Sequence, residues 1–180
     1  MLNLKSSDQV DQRTHLFLEH NPSISESLIE EFGQSISQVA TFIEPILNAP
    51  SRCEISSNYI QAVTTGRTAF LTTNLTTTGA TQVTEIASSW LIGRSSNCAI
   101  AILEKSVSRC HAVIGHHPRE GFYVMDLGSS NGTFVNSSKL VPLKQRFLKD
   151  GDLIEFNKIR TEFFISGKAD INVSIQETHY

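Results

Sequence analysis

The chain has 180 residues and a mass of 19.9 kDa, enough for one domain with an appendage and a tight fit for two full-sized domains. Its 18% of charged side chains falls below the roughly 25% usual in soluble proteins, and 22 serines and 15 threonines fill the gap. A net charge of -3 argues against a sequence-blind grip on nucleic acid or anionic membrane, which needs an excess of Lys and Arg. No apolar run is long enough for a membrane span, and the start MLNLKSSDQVDQR lacks a signal-peptide stretch, so a cytoplasmic protein is expected. Cys53, Cys98 and Cys110 stand at wide spacings that fit neither a disulfide framework nor a zinc site, and no metal or cofactor is expected.

Charge is divided unevenly. Residues 1–67 hold four basic and eight acidic side chains, net -4, and residues 68–180 hold eleven and ten, net +1. From Ile24 the apolar residues fall at Leu28, Phe32, Ile36, Val39, Ile43 and Leu47, steps of four or three that predict one helix over about Ile24–Leu47. Ser23 or Ser25 can cap its start, and Pro45 and Pro50 are expected to close it. Its stripe has to be buried, either against a shorter helix around Tyr59–Val63 or the flank of the next domain or, as the sharper alternative, in a homodimer seam or as a docking helix for another protein. Gly33 within the stripe weakens a long coiled coil.

Ten threonines between residues 64 and 84 read as a linker passing into the first strands. After Thr81 come short apolar runs separated by turn residues, among them SSWLIG, HAVIG, GFYVMDL, GTFVN and LIEF. Such spacing predicts an antiparallel sandwich or barrel, with His116 and His117 at a hairpin facing water. The fold class is therefore mainly β, with a helical segment at 1–67, a β sandwich at 68–175 and a tail at 176–180.

Three polar loops each abut a strand end in this region. Arg94 follows SSWLIG, Ser108, Arg109 and His111 lie in SVSRCHA, and Ser129, Ser130 and Asn131 lie in DLGSSNGTFVN. Arginines and hydroxyls donate hydrogen bonds, and the one nearby carboxylate, Asp126, is assigned to the turn. A donor-rich set without a general base suits a polyoxygen anion, above all phosphate, and Asn131, which both donates and accepts, suits an extended peptide backbone. A thiol or metal enzyme built on Cys98, Cys110, His111, His116 and His117 is set aside, because no third group orients a base and no ligand spacing fits.

Gly93-Arg94, Ser108-Arg109-x-His111, Ser130-Asn131-Gly132-Thr133 with Val135-Asn136, and Leu148-x-x-Gly151-Asp152-x-Ile154 together resemble the forkhead-associated (FHA) domain family over about residues 68–170. The resemblance implies a sandwich of about eleven strands whose loops bind phosphothreonine peptides without catalysis. It implies that Arg94 and Ser108 hold the phosphate, with Ser130 in the same pocket and Arg109 adding a contact, while Asn131 fixes the peptide main chain. It also implies structural roles for Gly93, His111, Gly132 and Thr133. Flank preference is expected from Lys105, Ser106 and the loop from Ser137 to Leu143. Cys98, Ala99, Asn157 and the Asn136-Ser137-Ser138 turn depart from the family pattern. The expected partner is a phosphothreonine-containing protein, a Ser/Thr kinase or its substrate; the alternative is a scaffold with a silent pocket, assembled through the amphipathic helix. Phosphorylation within Thr72–Thr78 is a candidate source of a self-ligand.

Overall fold

The computed structural model describes residues 4–167 apart from residues 34 and 77, so the expected tail at 176–180 and Thr77 lie outside the described residues. Three helices come first: α1 (Leu4–His20), α2 (Pro22–Phe32) and α3 (Ile36–Arg52). The single helix expected over Ile24–Leu47 is thus two, because Gly33 takes a left-handed φ of 66° and its N–H closes α2 on Ile29 O at 2.8 Å. Pro45 and Pro50 lie inside α3 instead of ending it. An interior proline costs about 3 kcal/mol, which is outweighed here by the apolar residues buried on both sides of Pro45, namely Val39, Phe42 and Ile43 before it and Ile46 and Ala49 after it, each large one contributing about 1.5–3 kcal/mol.

Two mixed sheets follow. The larger runs β3 (Gln82–Val83), β2 (Ala69–Thr73), β1 (Tyr59–Thr64), β12 (Ile159–Gly167), β11 (Asp152–Phe156), β8 (Thr133–Val135) and β9 (Ser138–Lys139). The smaller runs β10 (Arg146–Phe147), β7 (Gly121–Asp126), β6 (Ala112–His117), β4 (Ser89–Gly93) and β5 (Ile100–Ala101). Among the described residues there are twelve strands, and the sheets are not purely antiparallel: β1 runs parallel to β12, and β4 to β5.

The segment expected as a short helix, Tyr59–Val63, is strand β1, every residue of which is buried. Its alternation explains the misreading. Ile60 and Ala62 enter the core between the sheets beside Leu71, Trp90, Ile114 and Phe122, while Val63 faces the helices. A strand covered on both faces shows no polar-apolar rhythm to distinguish it from a helical turn. The sheet therefore begins ahead of residue 68, and Thr64, Thr72 and Thr73 of the threonine-rich stretch are buried in its strands.

The helical stripe is covered within the chain. Ile24, Leu28, Val39, Phe42, Ile43 and Ile46 pack with Val63 and Phe70 on the outer face of the seven-stranded sheet. A second tie follows α3, where the backbone N–H groups of Glu54, Ile55 and Ser56 donate to the Glu162 carboxylate at 2.9, 3.2 and 3.2 Å. Arg52 adds an ion pair to Asp150 at 2.8 Å and lies over the Phe164 ring.

His116 does not face water. Strand β6 continues through His117, so His116 points inward, where it is buried against Phe122 and shares a 3.0 Å hydrogen bond with Thr64 Oγ1. Burial first, and then the neighbouring His117, push its pKa below the ordinary value of 6.5.

Candidate functional site

At one end of the sandwich the connections leaving β4, entering β6 and leaving β7 meet. Gly93 ends β4 at a contact that admits no side chain: a Cβ there would lie 2.2 Å from the Arg109 carbonyl oxygen. That approach lets Arg94 N–H donate to Ser108 O at 2.9 Å and Ser95 N–H donate to Arg109 O at 3.2 Å, which locks the first loop to the second.

His111 locks the second loop to the third. It is fully buried; its Nδ1 accepts from Ser108 N–H at 3.1 Å and its Nε2–H donates to Gly132 O at 3.0 Å. Those two bonds require the neutral Nε2–H tautomer. Burial lowers the ring's pKa below 6.5, and the bond to Gly132 and the field of Asp126 only partly oppose it. Ser130 N–H then donates to Ser108 Oγ at 3.1 Å, and Asn131 Nδ2 to Ser106 O at 2.8 Å, closing the arrangement.

The third loop is shaped by Asp126. Its buried carboxylate accepts from Ser129 Oγ at 2.6 Å, Thr133 Oγ1 at 2.7 Å, Gly128 N–H at 2.9 Å and Ser129 N–H at 3.0 Å. Burial alone would raise this carboxyl, but the four hydrogen bonds more than offset it and hold the pKa below the usual value. Ser129 Oγ also accepts from Gly132 N–H at 3.0 Å, so Ser129 and Asp126 together fold the turn that presents Ser130 and Asn131.

What remains outward-facing is almost entirely donor. Arg94 is exposed and spends only its Nε–H, on Val107 O at 3.1 Å, which aims the guanidinium and leaves both terminal amino groups without partners among the described residues. The hydroxyls of Ser108 and Ser130 have no acceptor of their own there. Arg109 and Lys105 are exposed, and none of the site's cations makes an ion pair among the described residues. Asp126 has its oxygens occupied by the turn, and no carboxylate is hydrogen-bonded to these donors among the described residues. Arg94 with uncommitted terminal amino groups, and two hydroxyls on linked loops, are donors of the kind that suits a polyoxygen anion.

Of the residues singled out for contact or support, Arg94, Ser106, Ser108, Arg109, His111, Ser130, Asn131 and Gly132 belong to these linked loops, Gly93 and Thr133 are the adjoining ends of β4 and β8, and Lys105 is exposed beside Ser106. Two neighbours have roles that the sequence does not assign: Ser129, named only as part of the third loop, and Lys139. Ser129 is the inner brace of the turn, a role visible only in the hydrogen bonds. Lys139 lies across Gly132, its Cε 2.9 Å from where a Cβ on that glycine would stand; that flexible side-chain end can shift, so it is the φ of 87° that favours glycine here. The β8–β9 hairpin register, Phe134 opposite Lys139, was the signal that could have found it.

Residues 90–157 match the family model described as FHA domain. Human Kanadaptin is 33% identical over 90 residues, covering 44% of this chain and 12% of that protein. The glycogen accumulation regulator GarA of Mycolicibacterium smegmatis is 36% identical over 78 residues, 43% of this chain and 47% of that protein. This chain thus spans less than half the length of either relative. Among solved structures, the N-terminal FHA domain of S. cerevisiae Rad53p, in complex with a phosphothreonine peptide, is 27% identical over 39% of this chain and 59% of that one, with a TM-score of 0.35.

Proposed function

We propose that this chain, which carries an FHA domain over residues 90–157, is a non-catalytic adaptor that binds a phosphothreonine-containing segment of a partner protein. The observation that carries this reading is the donor set: Arg94, anchored by a single N–H on Val107 O, on the loop joined to those of the Ser108 and Ser130 hydroxyls, with none of these donors bonded to a carboxylate among the described residues. In this reading Arg94 and Ser108 hold the phosphate oxygens, Ser130 and Arg109 add contacts, and Asn131 grips the peptide main chain. Lys105 and Ser106 touch the flanking residues, and the partner is a Ser/Thr kinase or a kinase substrate.

Magnitudes agree with a micromolar binder. Three or four charge-assisted hydrogen bonds at about 1.5–3 kcal/mol each leave, after peptide ordering, roughly the -8 kcal/mol of micromolar affinity once flanking contacts are added. Preference for phosphothreonine over phosphoserine rests on one methyl group, about 0.8 kcal/mol if buried. The scaffold alternative has no comparable support, because the stripe meant to assemble it is packed against Val63 and Phe70 of the same chain.

Titration of a degenerate phosphothreonine peptide library, and of its unphosphorylated form, against wild type and Arg94→Ala tests the proposal. Binding should need the phosphate and fall by about ten- to hundredfold or more in the variant, the loss of one charge-assisted contact. Equal binding of both peptides, or by both proteins, would overturn it. Asn131→Ala should also weaken binding while leaving the thermal transition in place, since this side chain is exposed.

A further inference from the structure

We propose that Cys98 and Cys110 are an oxidative modification site, joining in a disulfide that weakens the phosphopeptide site beside them; its effect on binding rests on the function proposed above, whereas formation of the bond does not. Cys98 is buried in the turn between β4 and β5, and Cys110 is exposed in the connection from β5 to β6. They are twelve residues apart in sequence, yet the Cys98 thiol donates to Arg109 O at 3.2 Å, so its sulfur stands one peptide plane from the Cys110 backbone. Bridged cysteines need Cα atoms within roughly 4.4–6.8 Å, a separation compatible with one hydrogen bond and one peptide unit. A separate sign agrees: the Cys98 thiol is pushed up by burial first and then by negative charge on Cys110, whose field reaches it. Cys53 lies after α3, beside Glu162, away from both.

The chemistry assigns the two thiols different parts. Exposed Cys110, as thiolate, attacks the terminal oxygen of a hydroperoxide; an S–O bond forms, the O–O bond breaks, the other oxygen leaves as alkoxide or hydroxide, and the sulfur, having lost two electrons, becomes a sulfenic acid. Cys98, shielded from bulk oxidant, attacks that sulfur; the S–O bond breaks and the hydroxyl leaves as water with the Cys98 proton. In balance, two thiols and one hydroperoxide give one disulfide, one alcohol (or, from hydrogen peroxide itself, a second water) and one water.

The bond reaches the site through Arg109. Its carbonyl accepts from both Cys98 Sγ–H and Ser95 N–H and sits against Gly93, where a side chain has no room. Disulfide formation removes one of those donors and draws Cys110 toward the turn after Arg94, displacing the backbone that aims Ser108 and Arg109.

The full chain is treated with hydrogen peroxide and digested with trypsin without reduction. The expected product is a species joining 95–105 to 110–119, lighter by two hydrogen atoms than the two peptides and separated by dithiothreitol. Oxidised wild type is then expected to bind the phosphothreonine library about tenfold or more weakly, reversibly, as expected when one charge-assisted contact is withdrawn. Cys110→Ser, an exposed position outside the binding set, is expected to bind like reduced wild type and ignore peroxide. Both thiols remaining open to alkylation, a link to Cys53, or unchanged affinity once the bond has formed would each overturn the proposal. Failure of the reduced protein to bind any phosphopeptide sinks the function instead, and the linked tryptic species still reads the modification.

Discussion

His111 holds two loops together with two nitrogens of opposite role, accepting from Ser108 N–H and donating to Gly132 O. A second proton on the ring would set Nδ1–H against the Ser108 N–H. Its folded pKa lies below 6.5, as does that of buried His116, so in the window between the folded values and 6.5 the unfolded chain binds more protons. Stability is therefore full above about pH 6.5 and falls as pH drops through the lower folded values. Urea melts from about pH 7.5 down to 5 should show that decline, and His111→Asn should flatten it; a constant midpoint would refute the assignment. Residues of this kind differ in how far a sequence exposes them. Arg94, Ser108, Ser130 and Asn131 could be singled out because they are polar residues flanking recognisable strand ends, and the structure places all four in the linked loops. Ser129 and His116 could not be, since an inner brace and an inward histidine depend on which way a strand's alternation points.

At the scale of elements, the turns carry the departures from the family pattern. Asn136 and Ser137, joining β8 to β9, both have positive φ, 48° and 68°, the type I′ geometry in which glycine is favoured at the second position. Asn157 accepts its φ of 55° between β11 and β12, as its short polar side chain allows. Ser137→Gly should accordingly stabilise the protein by up to about 1 kcal/mol, read as a higher denaturation midpoint with an unchanged slope; a lower midpoint would place Ser137 in a contact of its own. The elements were legible where burial is one-sided, as in the strands after Thr81. They were misread where it is two-sided, as in β1, or where one glycine outweighs a continuous stripe, as at Gly33. Proline position misled for α3 because packing on both sides of Pro45 outweighs a missing N–H.

For the whole molecule, the helices and sheets share buried surface, which bears on how they unfold. Ile43 is fully buried between α3 and the sheet, and Ile43→Ala should cost about 2–5 kcal/mol. We propose that the helical segment and the sandwich melt as one unit. The sole tryptophan, Trp90, buried in the sandwich, should lose its native fluorescence at the temperature at which helical circular dichroism is lost. Two separated transitions would show the segment to be an independent domain. The existence of a helical segment and a sandwich was legible from the change of period along the chain; their union was not, because nothing in a stripe states which surface covers it.

The parallel pairing of β1 with β12 has a further consequence for how this protein is made. Tyr59 sits opposite Glu162 and Thr64 opposite Gly167, so a strand from the first third of the chain finds its neighbour only near the end of the described residues. Contacts of such long sequence separation close slowly, after the entropy of a large loop has been overcome. On the ribosome, β1 and the helices that cover it have to wait with an open edge until β12 has emerged, about a hundred residues later, and only then can the central ladder of the larger sheet close.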